Sequence, residues 1–355
     1  MDDVADKFTV VTAKAIEDFI TRTLVALKFP EQDARTTAQL MAEADLSGVD
    51  THGIFRLPQY FPRIRDGGIN VRPNIHVARD SDSTAVVDGD NGMGHLVVKF
   101  ATELAIKKGK EHGIGWVGIF NGNHAGPAGL YPKMCLRHDM IGIYAAIGSA
   151  NHLPPWGGTE SLLSTNPIAA AIPSMEEPPV VLDMATTVAA YGKIKEKAQR
   201  GEPMPEGWMI GRDGKPLTDA SKSEEGFLLP IGGYKGFGLA VILGFLAGTL
   251  NGAAFGKRVI DFTKDTQSVT NTGQFICAIN VAAFADVDAF KRQVDAVVRE
   301  MKASPTLPGF DAVRLPGESS FHKRAEREVS GVPIHRNLMA SLDKIADELG
   351  VDRLT

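Results

Sequence analysis

Apolar side chains recur at helical spacing over residues 13–27 (Ala15, Ile16, Phe19, Ile20, Leu24, Leu27), and Pro30 ends the run. The same period predicts a second helix over 31–46, closed at Gly48, and a third over 52–65, stopped by Gly67 and Gly68. These three make a helical lobe. The texture then changes to short, partly β-branched apolar runs bounded by Gly, Asn and Pro, which predict strands at 84–88, 115–120, 141–146, 167–173 and 180–183. Helices are predicted at 94–109, 127–138, 185–200 and 238–250, and a last strand at 275–281 leads into helices at 286–301 and 337–349. Most of the strands are not separated by full-length helices, so the expected fold is α/β with a mixed or antiparallel sheet, not a doubly wound parallel one. The expected division is a helical lobe over 1–75, a central domain over 76–283, and a C-terminal helical segment over 284–355 that packs with the first lobe.

Composition narrows the function classes. With 355 residues the chain is long enough for two or three lobes and a core that needs no disulfide staples. The 38 basic and 43 acidic residues give a net charge of -5 without long single-sign blocks, which argues against a nucleic-acid or anionic-membrane surface. Cys135 and Cys277 are the only cysteines and stand far apart in apolar stretches, so reduced, buried thiols are expected. The start, MDDVADKF, is acidic with no apolar core behind it, so no leader is expected, and the apolar stretch 238–250 is shorter than a bilayer needs. A cytoplasmic enzyme is the expectation. Glycine and proline together make up about one residue in six, and many of the glycines are clustered.

Four segments could carry chemistry. In VDTHGIFRLPQY (49–60), His52, Arg56 and Tyr60 are spaced by four and would share one face of a helix. Histidine titrates near neutrality and suits proton transfer, and arginine grips a carboxylate with two parallel hydrogen bonds. A proton donor one turn from a carboxylate clamp is what a 2-oxo or 2-hydroxy acid requires. In GNHAGPAGLY (122–131), His124 sits among glycines at a strand end, where ligands are commonly held. In the stretch 164–193, Asp183 ends an apolar strand and could orient a histidine or cap a following helix, while Thr165 and Asn166 offer short polar groups. In PIGGYKGFGLA (230–240), glycines flank Lys235 just before an apolar helix, an arrangement suited to a phosphate. It is not a Walker loop, and Gly92-Met93-Gly94 lacks the third glycine of a Rossmann fingerprint. No metal motif appears, and the other histidines read as surface or packing residues.

Taken in order, seven stretches resemble the malate/L-lactate dehydrogenase family that is distinct from the Rossmann-type enzymes: AEADLSGVDTHGIFRLPQY (42–60), GNHAGPAGLY (122–131), STNPIAAAIP (164–173), LDMATTVAAYGKI (182–194), GWMIGRDGKPLTD (207–219), PIGGYKGFGLA (230–240) and LPGE (315–318). The resemblance implies a non-Rossmann cofactor domain with a largely antiparallel mixed sheet, a helical lobe from both chain ends, a homodimer, and an active site in the cleft between lobe and cofactor domain. It implies hydride transfer between NAD or NADP and C2 of a small carboxylate such as malate or lactate. The proton-transferring histidine then falls on His52, the carboxylate-binding arginine on Arg56, and a second active-site histidine on His124. Asp183 joins them, with Thr51 and Tyr60 beside the substrate. Cofactor contacts fall on Asn166, on Val181, Leu182, Asp183, Met184 and Ala185, on Gly233, Tyr234 and Lys235, and on Pro316, Gly317 and Glu318. Where the family commonly has Arg and Ser in its first motif, this chain has Ser47 and Thr51; Thr51 keeps the hydroxyl, Ser47 removes a cation. NADPH-dependent reduction of a cyclic imino acid is the alternative substrate reading. The rival from another class is a hydrolase or lyase holding a metal on His52, His124 and Asp183.

Overall fold

The computed structural model describes residues 7–355, so most of the acidic start read as leaderless, residues 1–6, lies outside it. In chain order the elements are β1 (Phe8–Val11), α1 (Ala13–Ala26), α2 (Glu31–Leu46), α3 (Leu57–Arg65), β2 (His76–Asp80), β3 (Thr84–Asp88), α4 (Gly94–His112), β4 (Ile114–Gly122), α5 (Leu130–Leu136) and β5 (Met140–Ala146). They continue as β6 (Ile168–Ile172), β7 (Val180–Met184), α6 (Tyr191–Arg200), β8 (Met209–Gly211), β9 (Gly226–Leu228), α7 (Tyr234–Ala247), β10 (Thr272–Asn280), α8 (Val287–Lys302), α9 (Glu318–Ser330), β11 (Val332–His335) and α10 (Arg336–Leu349).

The first core joins the two ends of the chain. Thr12 caps α1 by accepting the Ala15 N–H at 3.1 Å, and the helix buries Ile16, Phe19, Ile20 and Leu24. These pack with Met41 of α2, Ile64 of α3, Val332 and Ile334 of β11, and Leu342 and Ala346 of α10. The antiparallel pair β1–β11 closes this layer. Within 284–355, α8 instead docks on the turn after β6, where Asp295 accepts the N–H groups of Met175, Glu176 and Glu177.

The second layer is a seven-stranded mixed sheet in the order β2-β3-β4-β10-β5-β6-β7. Only β3–β4 is parallel, with α4 as its crossover; the other pairs are antiparallel. Alternation along the central strands sends Tyr144, Ala146, Ile276 and Ala278 to the face covered by α4 and α5. Ala145, Ile147 and Phe275 go to the face covered by α7. The sheet is therefore covered on both faces.

Three helices begin later or earlier than their periodicity predicts, each for a local reason. The helix expected at 52–65 starts only at Leu57, and residues 50–56 form two short 3-10 turns, Asp50–His52 and Ile54–Arg56. Pro58 has no N–H to donate and sits in the first turn, where none is needed, while the Asp45 carboxylate takes the Ile54 N–H at 2.8 Å and diverts the backbone. The helix expected at 185–200 starts at Tyr191, because the Thr186 and Val188 N–H groups bond to Thr165 and Leu229 carbonyls instead. The apolar helix expected at 238–250 starts at Tyr234, and the 18-residue stretch Tyr234–Asn251 is long and apolar enough by composition to cross a membrane, although Ala240, Leu243, Gly244 and Ala247 are buried on its inner side. The short strands β1, β2, β8, β9 and β11 and the polar helix α9 carry too little apolar periodicity to be predicted.

Arg63 of α3 ties the helical lobe to the segment that precedes β10. It is 1% exposed, and its guanidinium donates to the carbonyls of Gly68 (2.7 Å), Ser268 (2.9 Å) and Asp265. Arg63→Met leaves three carbonyls without a donor and is expected to cost roughly 2–4 kcal/mol of stability by urea denaturation; a variant as stable as the parent would contradict this role.

Candidate active site

A cleft of about 970 Å³ runs between the helical lobe and the sheet. Its walls are Ser47, Thr51, His52 and Arg56 from the lobe, the turn 124–130, Phe262 and Thr263, the end of β7, the start of α6, and Pro316, Gly317, Ser320, Phe321 and Arg324 at the start of α9.

Histidines are stacked on one side of it. Thr51 Oγ1 lies 2.9 Å from His52 Nδ1. The His52 ring stacks on His124 with centroids 5.6 Å apart, and Phe262 stacks on the other face of His124 at 5.2 Å. Tyr60 Oη is 2.6 Å from His124 Nδ1, and the Gly126 N–H reaches the same nitrogen at 3.4 Å. A backbone N–H can only donate, so Nδ1 is an acceptor, the Tyr60 hydroxyl donates to it, and the proton of neutral His124 sits on Nε2. Burial, and then the Arg56 charge, lower His52 to about 3 and hold His124 well below the ordinary imidazole range. Both rings are neutral at neutral pH; His52 can accept a proton, while His124, its Nδ1 occupied, presents Nε2–H.

Arg56 supplies the charge. Its Nη1 donates to Gln59 Oε1 at 2.6 Å, while Nε is buried and meets no protein acceptor. Among the described residues no carboxylate pairs with it. Burial lowers its pKa without discharging it. A half-buried guanidinium that lacks a carboxylate partner is a place for an anion. Gly192 closes this corner: a Cβ there would lie 3.6 Å from Thr51 Cβ and 3.7 Å from Arg56 Nη2.

The remaining sequence candidates divide. Val181, Leu182, Asp183, Met184, Ala185, Pro316 and Gly317 all line the cleft. The Val181 N–H donates to the Pro316 carbonyl at 2.9 Å, and a Cβ on Gly317, at φ +90°, would meet Val181 at 2.8 Å, so this wall needs a glycine. Asp183 bonds to no histidine; it accepts the Gly129 N–H at 2.8 Å, so the helix start it serves is α5 and not the segment that follows it. Its carboxyl group is accessible within the cleft but crowded by protein, and this desolvation raises it against the pull of Gly129 and Lys133. Tyr60 is 1% exposed and stands behind His124 instead of lining the cleft. Asn166 is wholly buried and bonded, accepting from the Gly148 N–H at 3.2 Å and donating to the Ala240 carbonyl at 3.0 Å. Gly233, Tyr234 and Lys235 lie outside the lining, although Ile231 of the same loop is in it; Tyr234 and Lys235 begin α7 on the surface. Glu318 turns away to Lys302 Nζ (3.0 Å) and the Leu315 N–H (3.1 Å).

Several cleft residues carry no signal in the sequence. His152, read as a packing histidine, stacks on Tyr191 with centroids 3.8 Å apart, and burial lowers it to about 4. Glu43 accepts from Arg324 Nε at 3.0 Å and Ser47 Oγ at 3.2 Å, and pairs with Lys133 at 3.5 Å. Nothing local marks these side chains, because they come from elements far apart in the chain. Among the described residues no three His, Cys, Asp or Glu side chains form a metal-ligand group, so His52, His124 and Asp183 are not the ligand trio of the metal reading.

The family model described as malate/L-lactate dehydrogenase matches residues 11–343. The chain belongs to the malate/L-lactate dehydrogenase family. A malate dehydrogenase of Pyrococcus horikoshii is 38% identical over 99% of this chain and 98% of its own. An L-sulfolactate dehydrogenase of Methanocaldococcus jannaschii is 41% identical over 91% of this chain and 92% of its own. The crystal structure of a malate dehydrogenase from Entamoeba histolytica superposes with a TM-score of 0.93 at 28% identity, covering 98% of this chain and 99% of that one. The seven-stranded mixed sheet agrees with the non-Rossmann fold that the sequence resemblance implied.

The lowered histidines set a pH dependence for this dehydrogenase. A base whose pKa lies below 6.5 stays competent until the pH falls beneath that value. In the direction that oxidises a hydroxyl group, kcat/KM is expected to hold its plateau through pH 6.5 and to fall on a limb below it; a limb centred at pH 7 or above would contradict a desolvated His52.

Proposed function

We propose that the cleft transfers hydride between a nicotinamide dinucleotide, NAD or NADP, and C2 of a small 2-hydroxy or 2-oxo acid. The observation that carries this reading is half-buried Arg56, whose Nε meets no protein acceptor, next to a neutral His52. The relatives named for malate and sulfolactate bring the substrate class to this chain.

The residues present fit a dinucleotide. The cleft lies at the large end of small-molecule sites. It is lined by the basic side chains of Arg56, Lys133, Lys193, Lys195 and Arg324 against the acidic Glu43 and Asp183, a surplus that suits an anionic cofactor and substrate. Val181–Ala185, Pro316 and Gly317 would hold the cofactor, and of the 231–235 loop Ile231 would reach it. When bound, the nicotinamide supplies or accepts the hydride.

The chain's own residues bind and move the proton. Arg56 holds the substrate carboxylate with the edge that Gln59 leaves free. His52, fixed through Thr51, takes the hydroxyl proton on oxidation and returns it on reduction. His124 has only Nε2–H to offer, since Tyr60 and Gly126 occupy Nδ1, and it donates toward the substrate. Asp183 shapes the cofactor wall through Gly129. Ser47, bonded to Glu43, adds no cation to the substrate end.

A homodimer fits the outer face of α7, where Ile242 and Phe245 are 57% and 50% exposed, with Trp156, 56% exposed, lying beside Gly233 of the loop that opens the helix. A reducing, cytoplasmic setting suits the two buried free thiols, Cys135 and Cys277.

A panel of 2-oxo acids and cyclic imines tested with NADH and NADPH identifies the substrate. With that substrate, His52→Ala is expected to lower turnover by roughly 10²–10⁴-fold; a few-fold change would remove His52 from proton transfer. Arg56→Lys is expected to raise the substrate KM with little change in cofactor affinity, because the two-pronged contact is lost; unchanged kinetics would exclude Arg56 from the site.

A further inference from the structure

The segment that carries Thr51, His52 and Arg56 is not a regular helix. It consists of two 3-10 turns separated by Gly53, a conformation with weak hydrogen bonds and little stiffness of its own. Proton transfer and carboxylate binding need their groups held to a fraction of an ångström. The rigidity of 48–56 must therefore come from outside it.

Helix α9 supplies it. Gly317, Ser320, Phe321 and Arg324 face the cleft from this helix and its cap, and Arg327 follows one turn later on the same side. Arg327 is 8% exposed. Its Nη1 and Nη2 grip the two carboxylate oxygens of Asp50, the first residue of the turn, the Nη2 contact measuring 3.1 Å. The same Nη1 donates to the Asp45 carbonyl at 2.5 Å, in the last turn of α2. One guanidinium thus joins α9, the end of α2 and the start of the catalytic turn. Lys323 of α9 packs over Gly48, where a Cβ would meet its Cγ at 2.8 Å, so the helix lies directly on this backbone.

We propose that Asp50 and Arg327 are positioning residues for the reaction: the Arg327 fork on Asp50 sets the turn so that His52 and Arg56 face the cleft together. This rests on the reaction read above. Neither residue lines the cleft. The geometry of the fork carries the effect, so a lysine at 327, which keeps the charge but not the planar pair of donors, does not replace it.

The test uses the full-length protein with Asp50→Asn, Arg327→Lys and the double variant. Each single substitution is expected to lower kcat/KM for the acid by about 10–100-fold. The NADH dissociation constant, followed by fluorescence, is expected to stay within about two-fold, and the double variant to lose little more than either single one, as for residues acting through one contact. Amide hydrogen exchange over residues 48–57 is expected to accelerate at least about ten-fold while the sheet strands keep their protection. A lowered melting temperature with unchanged kcat/KM would overturn the proposal and leave the pair a plain stability contact; so would unchanged exchange over 48–57, or losses that multiply in the double variant. The exchange readout needs no turnover. A wild-type protein that reduces no 2-oxo acid would therefore remove the reaction, while the exchange still decides whether the fork holds the turn. If Arg327→Lys does not fold, Asp50→Asn, at a half-exposed carboxylate, decides alone.

Discussion

The carboxylate of Asp45 is the contact on which the cleft depends. It is 1% exposed at the end of α2 and accepts the Ile54 N–H, which breaks the helical pattern that the residues of 50–56 would otherwise follow. Gly53 makes room for it: a Cβ there would stand 2.0 Å from Asp45 Oδ1. Burial raises this carboxyl group well above its usual range, opposed by the Ile54 N–H and Arg327. Around this one buried group the chain turns sharply enough to carry His52 and Arg56 into the cleft and to leave Tyr60 behind it, on α3.

The sheet provides the other wall by ordinary packing. Its strands are covered on both faces, so they cannot slide in register without exposing apolar side chains, and the start of β7 is fixed against the segment that leads into α9 by the Val181–Pro316 bond. Phe262, ahead of β10, presses on His124, and Arg63 ties the following segment back to α3. The stacked rings thus sit between two separately stabilised layers. Neutral, desolvated histidines and an arginine without a carboxylate partner are costly to hold. That cost is offset by the packing around them.

Much of the fold was legible because it is written in local periodicity: α1, α2, α4 and the central strands follow from runs such as Ile16–Phe19–Ile20–Leu24. The antiparallel character followed from the missing crossover helices. Helix starts were misread wherever a tertiary bond outbid the local pattern, as the Asp45 carboxylate does at Ile54 and the Thr165 carbonyl does at Thr186. In the site, His52 and Arg56 stood out by their spacing of four, and His124 because glycines surround it at a strand end. Tyr60 was found for a reason that proved wrong, since no continuous helix joins it to His52; it reaches the site through His124. His152, Glu43, Lys133 and Arg324 were invisible because their neighbours in the cleft come from other parts of the chain, and Asn166 looked like a ligand group although its amide is used up by Gly148 and Ala240.

Charge and hydrogen-bond capacity converge on one corner, where Arg56, Thr51, His52 and Gly192 meet. The proposed hydride transfer requires a carboxylate to settle there. The direct measurement is a crystal structure of the protein with NADH and oxalate, a planar stand-in for the carboxylate end of a 2-oxo acid. The account predicts oxalate bonded to the free edge of Arg56 with an oxygen in hydrogen-bond reach of His52. Oxalate bound elsewhere in the cleft, with Arg56 still unpartnered, would contradict it.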